Sequence, residues 1–407
     1  MLDGKRQEEL SGFCQDLLRS PSLSGAEREV GLRVAEAMRS HGYDEVTVDP
    51  CGSVIGQIRF GKPGPVLLLE AQMDHVETGD FTRWSQYPYG AFVRGSRLYG
   101  RGASDQKGCL AAMVMAGAFL RQDLADRLRG SLVVAGTVFQ EKFEGVASRG
   151  VAMACSPDFV VTGEASGLEL VRGQRGRAEL LLETAGKMAH SSHPEFGVNA
   201  ADSMVRLLAA LSRSFQPPSD PFLGKGILVL VRLSTEPEEG VGAIPDRARA
   251  VFDRRLLAGE TKEDVLSQLE EILEKEAAGD PSLQWKLTVA SSEDRCYTGI
   301  PIRAEHFAPA WVLEEDHPFL EAAKAGLKGM GLDPRISRGP GFGTNGCFYG
   351  GQLHLPTIAF GPSFAGLAHA VDEYIELDQL FGACRGYYGI AASALGGPGI
   401  FQEVCEK

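Results

Sequence analysis

Short apolar runs alternate with helical stretches along most of this 407-residue chain, and no other feature of the sequence constrains its fold as strongly. The runs at 65–71, 131–139 and 159–162 are apolar almost throughout, which is typical of strands buried on both faces. The apolar segment 108–121, which lies between the first two runs, has the length of a helix. Strands that alternate with helices predict an α/β fold with a mostly parallel sheet flanked by helices.

The alternation stops at about residue 173 and resumes at about residue 294. The intervening sequence predicts elements in the order βαββαβ, which is typical of a ferredoxin-like sandwich: strands at 178–185, 226–233, 246–256 and 283–290, and helices at 198–214 and 261–278. After it we expect a helix from about His317, a strand at 356–360 and a closing helix from Leu377. The sequence therefore predicts a discontinuous larger domain, residues 1–172 and 294–407, with a smaller domain, residues 173–293, inserted into it.

Two helices are predicted before the first buried strand. The segment 5–19 carries apolar residues at helical spacing. The sequence Ser24-Gly25-Ala26-Glu27 has the pattern of a capping box, so a second helix is predicted to begin there and to end near His41.

The charge and the apolar runs argue against two classes of partner. The chain has 41 basic and 54 acidic residues, a net charge of -13, and no basic cluster, which argues against broad nucleic-acid binding. Its longest nearly apolar run, 109–120, is far shorter than the ~20 residues of a membrane-spanning helix. The N-terminal ten residues are unlike a secretory signal, and the eight cysteines are scattered without disulfide or metal-type spacing. We expect a cytoplasmic protein that acts on a small molecule.

Polar residues follow the predicted strands of the larger domain at the points where those strands end. The carboxyl ends of parallel strands meet at one edge of a sheet, and ligands bind there. The residues expected at that edge are Gln72, Asp74, Asp105, Gln140, Glu141, Glu164 and His369. Carboxylates that converge would repel one another unless a cation lies among them. Oxygen ligands with an imidazole suit zinc, manganese or cobalt, so the sequence predicts a metal centre at this edge.

Five motifs give the chain a resemblance to a known family. They are Met73-Asp74, Leu98-Tyr99-Gly100-Arg101-Gly102-Ala103-Ser104-Asp105-Gln106-Lys107-Gly108, Gly186-Lys187-Met188-Ala189-His190-Ser191-Ser192, Asp253-Arg254-Arg255, and Ala368-His369-Ala370 before Asp372-Glu373. In this order they resemble the signatures of the zinc-dependent amidohydrolases and metallopeptidases of acetylornithine deacetylase, succinyl-diaminopimelate desuccinylase and carboxypeptidase type. The details Cys296-Tyr297-Thr298-Gly299 and Thr344-Asn345-Gly346 are most similar to the YgeY-like branch. The resemblance implies a zinc-peptidase-like catalytic domain and a homodimer joined through an inserted lid domain.

The resemblance also implies a role for each residue of the metal centre. Asp105 would bridge two metal ions, Glu141 and His369 would complete one site, and Glu164 would serve the other. Asp74 would orient a ligand from behind the metal. For Asp105 taken alone, the structural alternative is a helix N-cap.

Substrate contacts are implied for residues of both domains. His190 would extend from the inserted domain, often that of the partner subunit, to stabilise a developing oxyanion. The alternative for His190 is that it caps a turn. Arg255 suits a substrate carboxylate because of its guanidinium fork, and its alternative is an ion pair with Asp253 or Glu260. The full set implied to bind substrate is Gln72, Arg255, Arg338, Thr344 and Asn345.

The chain departs from the family at one expected ligand. The family has a histidine two residues before Asp74, whereas this chain has Gln72. A neutral amide oxygen is a weak ligand, so one of the two metal sites should be weakened or lost. His75 is a candidate replacement, but neighbouring residues in a strand point to opposite faces, and His75 should therefore face away from Gln72.

A second departure removes the expected general base. Where the family has two adjacent glutamates, base and then ligand, this chain has Gln140-Glu141. In a register shifted by one residue, Glu141 would be the base and Lys142 would take a ligand position, but a protonated lysine is a poor ligand. An amide cannot accept a proton from water, and general-base catalysis typically contributes ~10²–10⁴-fold.

These observations lead to three hypotheses for function. The first is a metal-dependent amidohydrolase, of deacylase or dipeptidase type, that acts on a small N-acyl amino acid or peptide-like substrate with a carboxylate. The second keeps the metal but runs a non-hydrolytic reaction, such as amide formation, acyl transfer, cyclisation or elimination. The third is a pseudoenzyme that binds a small molecule or a partner without catalysis.

Overall fold

The computed structural model describes residues 2–237, 242–338, 341, 343–397 and 399–401. The chain forms two compact units. The larger unit comprises Met1–Gln174, Glu293–Arg303 and Trp311–Lys407, and the smaller comprises Arg175–Ser292 and Ala304–Ala310. The boundary expected from the sequence was a single insertion at 173–293. In the structure the segment 304–310 also belongs to the smaller unit.

The larger unit is built on an eight-stranded sheet whose four central strands are parallel. In order across the sheet the strands are Glu45–Val48, Val54–Arg59, Ser131–Thr137, Val66–Gln72, Phe159–Gly163, Thr357–Phe360, Leu170–Val171 and Ile336–Ser337. This confirms the predicted α/β fold with a mostly parallel sheet flanked by helices. Because Gln72 pairs directly with Thr137, the loops that follow these two strands begin side by side.

The burial of the central strands follows from their composition. Leu67, Leu68 and Leu69 are fully buried, although consecutive side chains of a strand point to opposite faces. Both faces of the sheet must therefore be covered, which is the usual state of a parallel sheet. The helix Gly108–Leu124 is apolar on all sides and is buried along almost its whole length. The helices of the larger unit are Gly4–Leu18, Arg28–Ser40, Gly108–Leu124, Ser148–Cys155, Pro318–Gly329 and Leu377–Gly396.

Several short strands complete the element list. Phe92–Arg94, Arg97–Tyr99 and Tyr374–Glu376 form a three-stranded sheet, and Gly173–Gln174 pairs with Trp311–Val312. The strands Ser291–Arg295 and Pro301–Glu305 pair with each other, and each of them includes a point at which the chain passes from one unit to the other. Within the described residues, no helix combines the length and the apolar character needed to cross a bilayer.

The predicted capping box at the second helix is wrong. The helix begins at Arg28, and its N-cap residue makes no side-chain cap hydrogen bond. Ser24 Oγ instead donates to Asp74 Oδ2 at 2.7 Å, and Glu27 Oε1 accepts the Phe139 N–H at 3.1 Å. Tertiary contacts thus use both side chains on which the local pattern depended.

The smaller unit is an antiparallel sheet covered by two helices. Its main strands, in spatial order, are Ile227–Glu236, Arg247–Leu256, Gly176–Ala185 and Gln284–Val289, and its helices are Ala200–Ser214 and Lys262–Ala277. Along the chain these elements follow the order βαββαβ. Short strands at Ser219–Asp220, Gly224–Lys225 and Phe307–Ala308 complete it. Apolar residues of the sheet, such as Leu180 and Phe252, pack against Leu207 and Leu269 of the helices in a core of their own.

Candidate metal centre

Three side chains that are far apart in the sequence lie together as a set of possible metal ligands. Among the residues that the structure describes, Asp105, Glu141 and His369 offer ligand atoms that all lie within 4.8 Å of one another. Nε2 of His369 is 3.2 Å from Oδ2 of Asp105 and 3.4 Å from Oε2 of Glu141. Three nitrogen and oxygen ligands with an open further position are the usual protein contribution to a catalytic zinc.

The set carries more negative charge than its surroundings neutralise. Burial raises the pKa of Glu141 to about 8. Hydrogen bonds to Asp105 and Glu141 raise the pKa of His369 to about 10. Both shifts favour the uptake of a proton into the site. A divalent cation would satisfy the same need, and metal binding would then compete with protons and weaken as the pH falls.

Gln72 contributes hydrogen-bond donors to this set. Its side chain is buried, and Nε2 donates to Oε1 of Glu141 at 3.0 Å and to Oδ1 of Asp105 at 3.3 Å. The amide nitrogen, a donor, is the atom that faces the carboxyl groups of Asp105 and Glu141. Gln72 therefore directs an N–H group at the oxygens to which an additional cation would bind, and it cannot ligate a metal in this orientation.

Asp74 fixes the loop that carries Glu141. Its two carboxylate oxygens accept the backbone N–H groups of Gln140 and Glu141, each at 3.1 Å. Burial raises the pKa of Asp74 to about 6. Asp74 thus lies behind the ligand Glu141 and holds it through the backbone.

The loop geometry matches the register in which Gln140 stands at the position of the base. Glu141 belongs to the ligand set, whereas the exposed Lys142 directs Nζ to Asp294, 2.7 Å away. Nε2 of Gln140 donates to the carbonyl oxygen of Gly343 at 3.3 Å. The shifted register, with Lys142 in a ligand position, has no support in these contacts.

Glu164 is a buried carboxylate that is not part of the ligand set. Oε1 accepts the Ala165 N–H at 2.8 Å, and within the described part of the chain Oε2 has no hydrogen-bond partner. Burial, with the charge of Asp105, raises the pKa of Glu164 well above its usual range. The unpartnered oxygen and the crowding of acids fit a site that binds a cation, so the residues present suit the metal that the sequence predicted.

His75 lies beyond the end of the strand Val66–Gln72, and its ring nitrogens bond to backbone groups outside the set of possible metal ligands. Nε2 accepts the Ser22 N–H at 2.9 Å and Nδ1 donates to the carbonyl oxygen of Val76 at 2.8 Å. Burial lowers the pKa of His75 to about 3, so the ring is neutral. Both ring nitrogens are used, and His75 cannot replace the missing ligand.

The residues implied to line the substrate pocket make internal hydrogen bonds. Asn345 Nδ2 donates to Oε1 of the buried Glu70 at 2.8 Å, and its Oδ1 accepts the Gly145 N–H at 2.7 Å. Thr344 Oγ1 donates to Oε1 of Gln174 at 2.8 Å. The bond from Gly145 ties the 140–145 loop to Asn345, and both Thr344 and Asn345 are buried and hydrogen-bonded within the protein. Arg338 is exposed, and the neighbouring residues 339 and 340 lie outside the described part of the chain.

Two of the residues implied to contact the substrate, His190 and Arg255, lie in the smaller unit. Each has a hydrogen-bond or ion-pair partner two residues away in the sequence. Nδ1 of the exposed His190 accepts the hydroxyl of Ser192 at 2.7 Å, which matches the turn-capping alternative. Nε of Arg255 is 2.7 Å from Oδ1 of Asp253. Glu260 pairs at 2.6 Å with the buried Arg254 rather than with Arg255.

A buried ion pair lies next to Asp105, and the sequence alone did not assign it a role. Nη1 of Arg101 lies 2.7 Å from Oε2 of Glu373, and both side chains are almost fully buried. Arg101 shares a sequence motif with Asp105, and Glu373 shares one with His369, so the motifs were the signal by which this ion pair could have been found. Charged residues are rarely buried without a specific requirement.

The fold and the site together define an α/β protein of the metallohydrolase class, with acidic and imidazole side chains that could bind a metal at the carboxyl edge of a parallel sheet. The chain belongs to peptidase family M20/M25/M40, whose model matches residues 68–393. Family membership supports metal-dependent hydrolysis of amide bonds as the general class of reaction.

The relatives and solved structures agree with this assignment. The chain is 33% identical over 397 residues to the uncharacterized protein YgeY of Escherichia coli K12, covering 96% of this chain and 95% of YgeY. It is 29% identical over 398 residues to succinyl-diaminopimelate desuccinylase of Pseudomonas syringae, covering 92% and 95%. The aminopeptidase PepT of Bacillus cereus shares the fold with a TM-score of 0.73, 18% identity, and coverage of 95% and 98%. A dinuclear metal-binding M20 peptidase, YxeP of Bacillus subtilis, gives a TM-score of 0.71 at 15% identity, covering 97% and 99%.

Proposed function

We propose that this protein is a metal-dependent amidohydrolase that works with one zinc ion and acts on a small N-acyl amino acid or peptide-like substrate with a carboxylate. The observation that carries the proposal is the compact set of Asp105, Glu141 and His369. Three ligands suffice for a catalytic zinc with an open position, and manganese or cobalt would fit the same donors.

The proposal of a single ion rests on Gln72. Its N–H group hydrogen-bonds Asp105 and Glu141 on oxygens other than those nearest His369. A second ion would need that space and would gain no ligand from the amide nitrogen. Glu164 would then remain a buried carboxyl group near the single ion, without a metal of its own.

The protein's own side chains would position the metal-binding groups, but none of those named here would remove a proton from the attacking water. When bound, the metal would lower the pKa of a water towards ~7 and polarise the scissile carbonyl. Asp74 holds the Gln140–Glu141 backbone, and Gln72 fixes the carboxylates of Asp105 and Glu141. No proton acceptor stands at position 140, so hydrolysis should be slow compared with that of an enzyme that has a glutamate there.

A non-hydrolytic reaction is the second candidate, and the Gln140 contact favours it. The Gln140 amide donates to Gly343 and has no basic atom to activate water. A site of this kind would polarise an acyl group without generating a nucleophile from water. Amide formation, acyl transfer, cyclisation or elimination would then turn over substrate with no incorporation of solvent oxygen.

We propose in addition that two copies associate through the smaller unit. The strand Ile227–Glu236 is at the edge of its sheet, and Val229, Leu230, Val231 and Leu233 on it are each at least 40% exposed. An exposed apolar edge strand invites pairing with another chain. By resemblance to the family, His190 would then act on the substrate of the partner subunit.

Metal content per chain is the first test of the proposed function. Protein purified without chelator should hold about one zinc or manganese ion, measured by elemental mass spectrometry, and His369→Ala should hold much less. Lys142→Ala is the control, since it removes an exposed ion pair with Asp294 and a contact with the Phe139 ring in the loop that carries Glu141, and it should match the unmodified protein. Failure to bind any metal, even with excess ions, would support the pseudoenzyme.

Solvent oxygen distinguishes the two catalytic candidates. A panel of N-acetyl and N-succinyl amino acids and dipeptides is incubated with the metal-loaded protein in ¹⁸O-labelled water. Label in the released carboxylate supports hydrolysis. Consumption of substrate without label supports the non-hydrolytic reaction.

A further inference from the structure

The turn that carries Asp105 is built around the buried carboxylate of Glu373. Oε2 accepts the Gly102 N–H at 3.0 Å, and Oε1 accepts the N–H groups of Ser104 and Asp105 at 2.8 and 3.1 Å. Oε2 also accepts Nη1 of Arg101 at 2.7 Å. One side chain, 1% exposed, therefore receives four donors from five consecutive residues.

The backbone of Glu373 holds the same turn. Its carbonyl oxygen accepts the Gly100 N–H at 2.9 Å. The strand Tyr374–Glu376, which follows directly, pairs with Arg97–Tyr99, which leads into the turn. Glu373 is thus the residue at which the segment ending in Asp105 meets the segment that carries His369, four positions earlier in the chain.

His369 needs such support because its backbone is strained. It has a φ of +62°, in the left-handed region that residues other than glycine rarely adopt. Asp372, next to Glu373, has a φ of +57°. Conformations of this kind persist only where the surroundings fix them.

The buried charge of Glu373 is balanced by a buried positive charge. Arg101, itself 2% exposed, neutralises Glu373, and its guanidinium lies over the Trp84 ring at 5.0 Å. The bond from the Asp105 N–H to Glu373 fixes the backbone from which the Asp105 carboxylate extends, and that carboxylate lies 3.2 Å from Nε2 of His369. Groups that bond to metal ligands fix their orientation, and their loss typically weakens metal binding.

We propose that Glu373 is the positioning residue of the metal centre, which sets the separation of Asp105 and His369 without touching metal or substrate. The proposal rests on the metal-dependent function proposed above. Glutamine at this position keeps the size of the side chain, but its one acceptor oxygen cannot serve donors that now bond to two oxygens, and its NH₂ group would face N–H donors.

Cobalt binding by the full-length protein, followed by visible absorption, tests this inference without any substrate. Glu373→Gln should bind Co²⁺ about 10–100-fold more weakly than the unmodified protein, with an altered d–d spectrum. Glu376→Gln is the matched control, since Glu376 lies three residues further along the chain, at the end of the strand Tyr374–Glu376, and makes a partly exposed ion pair with Arg97. It should bind like the unmodified protein. In a turnover assay, the Glu373→Gln variant should have a lower kcat and a nearly unchanged KM. Its activity should recover in part at saturating metal.

Two further results distinguish a loss of metal affinity in Glu373→Gln from a failure of the variant to fold. If Glu373→Gln does not fold, the double variant Arg101→Met with Glu373→Gln removes both buried charges, and it should show the same loss of cobalt affinity. Cobalt affinity and spectrum equal to those of the unmodified protein, in either folded variant, would overturn the role of Glu373 while leaving the proposed function intact. An unmodified protein that binds no cobalt would overturn the proposed function and this inference together.

Discussion

Replacing Gln140 with glutamate should restore the base that the chain lacks. The Gln140 backbone N–H is held by Asp74, so the new carboxylate should occupy the place of the present amide. The change loses one long side-chain hydrogen bond, from Nε2 to the carbonyl oxygen of Gly343 at 3.3 Å. Such a bond contributes about 0.5–1.5 kcal/mol to stability, and repulsion between the new carboxylate and this carbonyl oxygen adds to the structural cost.

The catalytic gain should exceed that cost. A positioned general base contributes ~10²–10⁴-fold, which corresponds to about 2.7–5.4 kcal/mol of barrier at 1.36 kcal/mol per tenfold. The added charge should also destabilise the metal-free protein, because Asp105, Glu141 and Glu164 already lie in this region. We therefore expect Gln140→Glu to unfold at a lower temperature than the unmodified protein without metal, and to recover when metal is added.

The assay is the release of free amine from the N-acyl amino acid panel, with the metal content of both proteins measured first. Gln140→Glu should be at least about 100-fold faster than the unmodified protein. Lys142→Ala, in the same loop, should leave the rate unchanged. Equal rates for Gln140→Glu and the unmodified protein, with one metal bound in each, would refute the reasoning, since position 140 would then not face the reacting water.

Three further changes test other parts of the structure. Gln72→His should raise bound metal from about one to about two ions per chain in elemental mass spectrometry, because an imidazole ligand would join Glu164 and Asp105; an unchanged ratio would contradict the assignment of Gln72. His75→Gln should flatten the pH dependence of the free energy of unfolding between pH 6.5 and 3, measured by urea denaturation. In that window the unfolded chain binds a proton that the buried His75 does not, so stability falls with decreasing pH by up to ~1.36 kcal/mol per unit, and equal slopes would argue against this. Val231→Lys should convert a dimer to a monomer in light scattering; a monomer before the change would rule out the proposed interface.

The fold could be predicted because its elements are specified by local patterns of burial. The apolar run at 65–71 became the strand Val66–Gln72, and the predicted helix at 261–278 became Lys262–Ala277. The Ser24–Glu27 pattern failed because Asp74 and Phe139, distant in sequence, offered partners that the local pattern could not show. Local signals are reliable only where tertiary contacts do not compete for the same side chains.

The ligand set could be predicted from strand ends and motifs, but the roles of its neighbours could not. Asp105, Glu141 and His369 come together as expected. Thr344 and Asn345 also lie in a motif, yet their hydrogen bonds are made inside the protein. Only the three-dimensional structure shows which polar atoms lack a hydrogen-bond partner within the protein, because those partners are distant in the sequence.

The two glutamines are best understood as coupled substitutions. In the proposed single-ion site, one cation would have to neutralise Asp105, Glu141 and Glu164, and a further carboxylate at position 140 would add repulsion that one ion does not offset. A second ion, admitted by Gln72→His, would remove that repulsion. The double variant should therefore hydrolyse N-acyl amino acids faster than the product of the two single effects predicts, and its metal-free form should be the least stable of the four proteins. A double-mutant cycle of rate and metal content measures this coupling. Strict additivity would mean that the two positions changed independently and that the charge of the centre did not link them.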